Sequence, residues 1–197
     1  MAIDLHPLGI PPGRDFFCRE MTMKKILVIG SGGAGKSTLA NRLGELRGIE
    51  VIHLDQFYWH PGWVETPKSE WLETVERLML KDSWIMDGNY SGSLERRLEA
   101  CDTVIFLDIA RSVCVWRLLK RAVVYRKKSR PDMAEGCAER FNLDFVRWVW
   151  NYPSRTRPKV LVRLEENADR KRIVHLHSRS EVQKFLADSA RFAIPIN

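Results

Sequence analysis

Residues 24–40 read KKILVIGSGGAGKSTLA, and this stretch decides the fold. The run Ile26 to Ile29 is short, wholly apolar and rich in isoleucine and valine, as expected of a strand buried on both faces of a parallel sheet. Gly30-Ser31-Gly32-Gly33-Ala34-Gly35-Lys36-Ser37 follows it directly with the spacing GxxxxGK[ST] and leads into a helix predicted to begin at Ser37. Glycines in such a loop let successive N–H groups turn inward and form a concave anion site at a helix N-terminus. Gly30 through Thr38 are therefore the candidate ATP-binding residues, with Lys36 reaching the β and γ phosphates and the Ser37 hydroxyl holding Mg²⁺. The same residues also spell GxGxxG at Gly30, Gly32 and Gly35, and Asp55 follows at about the twenty-residue distance of a dinucleotide fingerprint. Lys36 and Ser37 decide for the triphosphate, because a dinucleotide site has no use for that pair.

Outward from the loop, short apolar bursts recur at 51–54, 84–86, 103–107 and 173–176, all read as buried parallel strands. Helices are predicted between and after them at 37–47, 69–80, 93–99, 112–126, 143–152 and 180–188. Strands alternating with helices predict an α/β sheet covered on both faces. The stretch between the fourth and fifth strands is far longer than one crossover helix and predicts a helical subdomain, at about 122–160, over one end of the sheet. Residues 1–22 carry prolines, glycines and no sustained period, so they are expected to be a poorly ordered extension to a domain of residues 23–197, with a true start near Met23 possible on sequence grounds.

The chain has 197 residues, 45% of them hydrophobic and 29% charged, which suits one globular domain and excludes a disordered chain. No apolar run reaches the ~18 residues needed to span a bilayer. Cys18, Cys101, Cys114 and Cys137 form no CxxC pair, and reduced thiols in a cytoplasmic protein are expected. The net charge is +7, but it is unevenly placed. From Arg111 to Arg163 there are fourteen Lys and Arg against four acidic residues, leaving +10 in that segment and −3 in the rest. Polyanion binding belongs there.

Phosphoryl transfer requires carboxylates to organise the metal and orient the acceptor, and ligands of open α/β sheets sit beyond the carboxyl ends of the strands. Asp55, Asp87 and Asp108 each follow a predicted strand. Asp87 opens Asp-Gly-Asn-Tyr and is a candidate to order the metal's shell together with Ser37; alternatively it supports its own turn. Asp55 begins DQFYWHPGW, an aromatic loop suited to binding an acceptor whose hydroxyl Asp55 receives; alternatively it ends the strand beside an aromatic cluster. Asp108 is explained equally well as a cap of the next helix. Arg117 and Arg121, four apart on one helix face, are candidate catalytic cations, as are Arg96, Arg97, Arg155 and Arg157.

The segments KILVIGSGGAGKSTLA, VIHLDQFYWHPGWVETP, WIMDGNYSGSLERRL, TVIFLDIARSVCVWRLLKR and KSRPDMAEGC together resemble the DNA topology modulation proteins, the FlaR-like group of P-loop kinases, from about Lys24 onward. That group is similar to adenylate kinases and other nucleoside monophosphate kinases. The resemblance implies a P-loop NTPase fold whose parallel sheet has strand order 2-3-1-4-5, an Asp87-Gly88 turn that organises magnesium, and a basic helix with Arg117 and Arg121 leading into a mobile lid. It also implies that His177, Ser178 and Arg179 face the adenine. The chain departs from the adenylate kinase pattern after Asp87-Gly88 and at Asp55 with its tryptophans, where the acceptor would bind.

Two functions follow as expectations. One is an ATP- and Mg²⁺-dependent kinase acting on a small acceptor, with a nucleoside monophosphate or related metabolite leading and the basic segment as its lid. The other is a nucleotide-switched DNA-binding regulator, suggested by Arg126, Lys127, Lys128 and Arg130 beside Trp148 and Trp150. Against it, those tryptophans lie near Phe141, Phe145 and Tyr152 and read as part of a helical core, the commoner use of such residues.

Overall fold

The computed structural model describes residues 23–125, 132–139 and 141–191. The extension at 1–22 and the cations Arg126, Lys127, Lys128 and Arg130 lie outside the described residues. In chain order the elements are β1 (Lys25–Gly30), α1 (Lys36–Arg47), β2 (Val51–His53), α2 (Asp55–Tyr58), β3 (Trp59–His60), β4 (Val64–Glu65), α3 (Lys68–Met79) and β5 (Trp84–Asp87). They continue with α4 (Ser91–Ala100), β6 (Thr103–Leu107), α5 (Arg111–Val124), α6 (Leu143–Arg155), α7 (Arg157–Asn167), β7 (Arg172–Leu176) and α8 (Arg179–Arg191).

Five strands form one parallel sheet in the order β2-β5-β1-β6-β7. Successive side chains of a strand point to opposite faces, so β1 feeds both layers of the core. Leu27 and Ile29 pack with Met86, Phe106, Trp71, Leu98 and Leu164, while Ile26 and Val28 pack with Leu39, Leu43, Ile105, Cys114 and Leu118. The three central strands are buried almost throughout, which explains their unbroken apolar runs. At the edge, β7 is only half-buried and accommodates Arg172 and His175.

From β1 the chain crosses toward β2, and from β6 it crosses the opposite way toward β7. A crevice therefore opens beyond the carboxyl ends of β1 and β6, which is where open α/β sheets bind ligands. The loop 31–35 occupies it.

Several expectations need correction. The aromatic loop after β2 is the short helix α2 followed by a β3–β4 hairpin, each strand being too short for an alternating pattern to show. Of the span 122–160 expected as a helical subdomain, the described residues hold the end of α5, α6 and the start of α7, while residues 132–139 contain no helix and Met133, Ala134 and Cys137 pack on Trp59 and Trp63 of the hairpin. The helix α6 runs past Tyr152 to Arg155 with Pro153 inside it, and α7 begins anew with Pro158 in its first turn, where the missing N–H has no intrahelical partner to lose. Phe141, Trp148 and Trp150 do not form a core; they are exposed, and only Tyr152 and Val149 of α6 are buried. Cys101, Cys114 and Cys137 are free and buried. No described helix is long and apolar enough to cross a membrane.

Candidate active site

The loop between β1 and α1 is shaped by its glycines and clasped from outside. Gly33 and Gly35 have φ of +77° and +99°, in the left-handed region that favours glycine. A Cβ on Gly33 would lie 2.4 Å from the carbonyl oxygen of Cys114, so α5 sits directly against the loop backbone. A Cβ on Gly32 would meet the Phe145 ring at 2.6 Å and Val149 at 3.0 Å, which puts α6 on the loop as well. Lys36 Nζ donates to the Ser31 carbonyl at 3.2 Å, folded along the loop, and Thr38 faces solvent in the first turn of α1.

Beside the loop, Asp87 ends β5 and is buried. Its Oδ2 lies 3.1 Å from His53 Nδ1, and His53 Nε2 lies 2.9 Å from Asn41 Oδ1, so β5, β2 and α1 are linked through one imidazole. Burial alone would raise the Asp87 carboxyl, but the hydrogen bond to His53, the Lys36 charge and the nearby Ser37 hydroxyl hold it below its ordinary value. Burial would lower His53, yet Asp87, with Asp132 and Asp55 further off, raises it. The second oxygen, Asp87 Oδ1, is buried and accepts no hydrogen bond among the described residues. An anionic oxygen left without a partner next to a serine hydroxyl fits a hydrated Mg²⁺, so Ser37 and Asp87 suit the metal.

The turn after Asp87 connects the loop to the aromatic region. Asn89 accepts from the Gly30 N–H at 3.1 Å and donates to the Gly30 carbonyl at 2.7 Å. Tyr90 adopts φ +28°, unusual for a non-glycine residue, and its hydroxyl donates to Asp55 Oδ1. The turn is held by Arg97, which is fully buried and donates to the carbonyls of Gly88, Asn89 and Tyr90 at 2.8, 2.6 and 3.0 Å. Burial pulls the Arg97 guanidinium down to about 10, still charged at neutral pH.

No family model and no curated protein matches the chain.

The sequence-derived cations are distributed differently from expectation. Arg117 donates to the loop carbonyls of Gly33 and Ala34 at 3.3 and 3.0 Å, bracing the outside of the loop. Arg121 pairs with Glu139 at 3.1 Å and ties α5 to the segment 132–139. Arg97 is committed to the turn, Arg96 pairs with Glu76 away from the loop, and Arg155 is exposed at the end of α6. Arg157 donates to both oxygens of Asp108 at 2.9 and 2.8 Å.

Asp108 does not cap α5, whose N-cap is Ala110. It also receives His175 Nε2 at 3.0 Å, with His177 Nδ1 3.7 Å away. These three ligand atoms lie within 4.8 Å of one another, but a cation there would compete with the Arg157 guanidinium. Ser178 and Glu181 cap α8: the Glu181 N–H donates to Ser178 Oγ at 3.2 Å, and Glu181 Oε2 accepts from the His177 N–H at 2.8 Å.

Sequence reasoning missed His53, Asn89, Tyr90 and the structural role of Arg97. A signal existed for His53, a lone polar residue in the run VIHL whose place in β2 is in register with Asp87.

Proposed function

We propose that the chain is an ATP-dependent phosphotransferase that moves the γ-phosphate of ATP·Mg²⁺ to a small acceptor. The observation that carries this reading is the placement of a glycine-shaped loop, Lys36 and Ser37 beside the buried Asp87, whose Oδ1 has no hydrogen-bond partner among the described residues. In this reading the loop N–H groups bind the phosphates and Lys36 leaves the Ser31 carbonyl to meet them. Ser37 and Asp87 would hold Mg²⁺, which supplies charge neutralisation at the transferring phosphate. Arg117 keeps the loop in shape from behind. Asp55, anchored by Tyr90, orients the acceptor, and α5 and α6 limit water access to the loop.

The sheet order also supports likeness to the nucleoside monophosphate kinases. With the hairpin strands β3 and β4 set aside, its strands count 2-3-1-4-5 in chain order. Replacing Lys36 with Ala tests the reading: ATP binding and ADP formation fall at least tenfold while the thermal midpoint holds, and unchanged rates would sink it.

A second reading, a nucleotide-switched DNA-binding regulator, is favoured by one observation. Trp116, Trp148 and Trp150 are exposed beside the exposed Arg111, Lys120 and Arg147, an arrangement of cations and stacking faces that suits nucleic acid. Binding to a DNA duplex that falls steeply with salt and survives Lys36→Ala would support it.

A further inference from the structure

The β3–β4 hairpin, α3 and the start of α4 enclose a cleft of about 340 Å³ lined by Tyr58, Glu65, Thr66, Lys68, Trp71 and Tyr90 among others. We infer that this cleft takes an uncharged, ring-bearing alcohol of the nucleoside class as phosphate acceptor, and that Asp55 receives its hydroxyl proton. The inference rests on the kinase reading and differs from the monophosphate acceptor implied by the family resemblance.

Three features point to a planar, uncharged ligand. The walls are aromatic: Tyr58, Trp71 and Tyr90 form a mutually contacting set, with ring centroids 5.1, 4.6 and 4.9 Å apart. Such faces favour a flat ring by burial and stacking. The charge is wrong for a phosphate. Glu65 lines the cleft and Asp55 stands at its edge through the Tyr90 hydroxyl, against Lys68 as the one lining cation among the described residues. The neighbouring arginines are already committed, Arg97 to backbone carbonyls and Arg96 to Glu76.

The chemistry of the attacking atom agrees. A phosphate acceptor already carries an anionic oxygen, needs no base and would be repelled by a carboxylate. An alcohol must lose its proton as it attacks, and a positioned carboxylate receives it. Tyr90 links the two regions, since its ring lines the cleft while its hydroxyl fixes Asp55. Asp55 in turn adjoins the metal carboxylate's strand, where the Leu54 N–H donates to the Asp87 carbonyl at 3.0 Å. In the step, the alcohol oxygen bonds to the γ-phosphorus and the bond from that phosphorus to the β–γ bridging oxygen breaks. That bond's electron pair leaves with ADP, and the alcohol proton passes to Asp55 and then to water. The products are a phosphomonoester, ADP and a proton.

The test uses the full chain and four nucleosides with their 5′-monophosphates. Binding is followed by tryptophan fluorescence in Lys36→Ala, which separates it from turnover, and ADP formation is followed in the wild type. At least one nucleoside should bind tenfold more tightly than its monophosphate. Trp71→Ala should cost tenfold or more, and the exposed-site variant Glu65→Gln, which leaves the core intact, should narrow the preference. Asp55→Asn should lower kcat at least a hundredfold with KM changed less than threefold. Monophosphates that bind or turn over better than nucleosides, or nucleosides that do not bind at all, overturn the acceptor assignment and leave the kinase reading standing. Nucleoside binding without ADP formation overturns the transfer step, and a wild type that fails to bind ATP overturns the kinase reading itself.

Discussion

Asn89 holds Gly30 from both sides, accepting its N–H at 3.1 Å and donating to its carbonyl at 2.7 Å. The pair joins the end of β1 to the turn that carries Asp87 and Tyr90, so the glycine loop, the Asp87 carboxylate and the Asp55 region, the three parts of the proposed kinase site, share one fixed backbone. Each bond is worth about 0.5–1.5 kcal/mol net. Asn89→Ala is expected to lower stability by about 1–3 kcal/mol on that scale and to weaken ATP binding roughly tenfold. Asn89→Asp should be worse for ATP, because it loses the donor and adds negative charge near the phosphates. Urea titration and calorimetric ATP binding measure both effects; unaltered ATP affinity in Asn89→Ala would show that the loop keeps its shape without the clamp.

Arg97 stabilises that same turn from below. Its guanidinium donates to three backbone carbonyls and, among the described residues, to no carboxylate, with Ser93 Oγ taking the Nε–H at 3.2 Å. Replacing it with Leu keeps the packing but leaves buried carbonyls without donors, at about 1–3 kcal/mol each. The expected loss is roughly 3 kcal/mol or more by urea unfolding. Arg97→Lys should recover less than half, since a single ammonium cannot reproduce the fork. Full recovery by lysine would mean that charge, not geometry, holds the turn.

Arg97 also shows where the sequence was legible and where it was not. The strands β1, β5 and β6 could be read because strands buried on both faces carry unbroken apolar runs, and the loop because its chemistry requires a fixed spacing. Arg96 and Arg97 are adjacent and carry the same side chain, yet one reaches solvent and the other is fully buried. The distinguishing sign was position: Arg97 shares the helical stripe of Leu94, Leu98 and Cys101, all buried. Trp150 lies off the stripe of Val149 and Tyr152, and it meets the Arg111 guanidinium at 4.3 Å instead of a core. The Tyr90–Asp55 contact joins residues 35 apart, which no local pattern encodes, and the hairpin pairs only Trp59 with Glu65 and His60 with Val64, too few residues for an alternating pattern to show.

The Asp108 cluster predicts an acid-side stability change. Burial would raise the Asp108 carboxyl, but His175 and Arg157, whose Nε–H is shared between both carboxylate oxygens, hold it below its ordinary 3.8. A carboxyl whose pKa is lowered on folding stabilises the protein above its unfolded value, and this contribution fades as pH falls through the folded value. The stability difference between wild type and Asp108→Asn should therefore be largest and flat at neutral pH, and shrink as pH drops below about 4. Urea midpoints from pH 7 to pH 3 test this; a difference independent of pH would show that Asp108 contributes through packing alone.

Gly32 and Gly33 are consecutive, but substituting them should have different consequences. A Cβ on Gly32 meets the far end of the Phe145 ring at 2.6 Å, and Phe145 is 38% exposed, so the ring has room to swing away. A Cβ on Gly33 meets the Cys114 carbonyl oxygen at 2.4 Å, where only movement of α5 gives relief, and the φ of +77° adds about 1–2 kcal/mol of backbone strain. Gly32→Ala should cost about 1–2 kcal/mol by overpacking, and Phe145→Ala on top of it should return most of the lost ATP affinity. Gly33→Ala should cost more, and Phe145→Ala should not rescue it. A double-mutant cycle on urea midpoints and ATP binding decides the matter. Additive effects for Gly32→Ala and Phe145→Ala would mean that α6 does not sit on the loop in solution, and with it would go the proposed role of α6 in shielding bound phosphates from water.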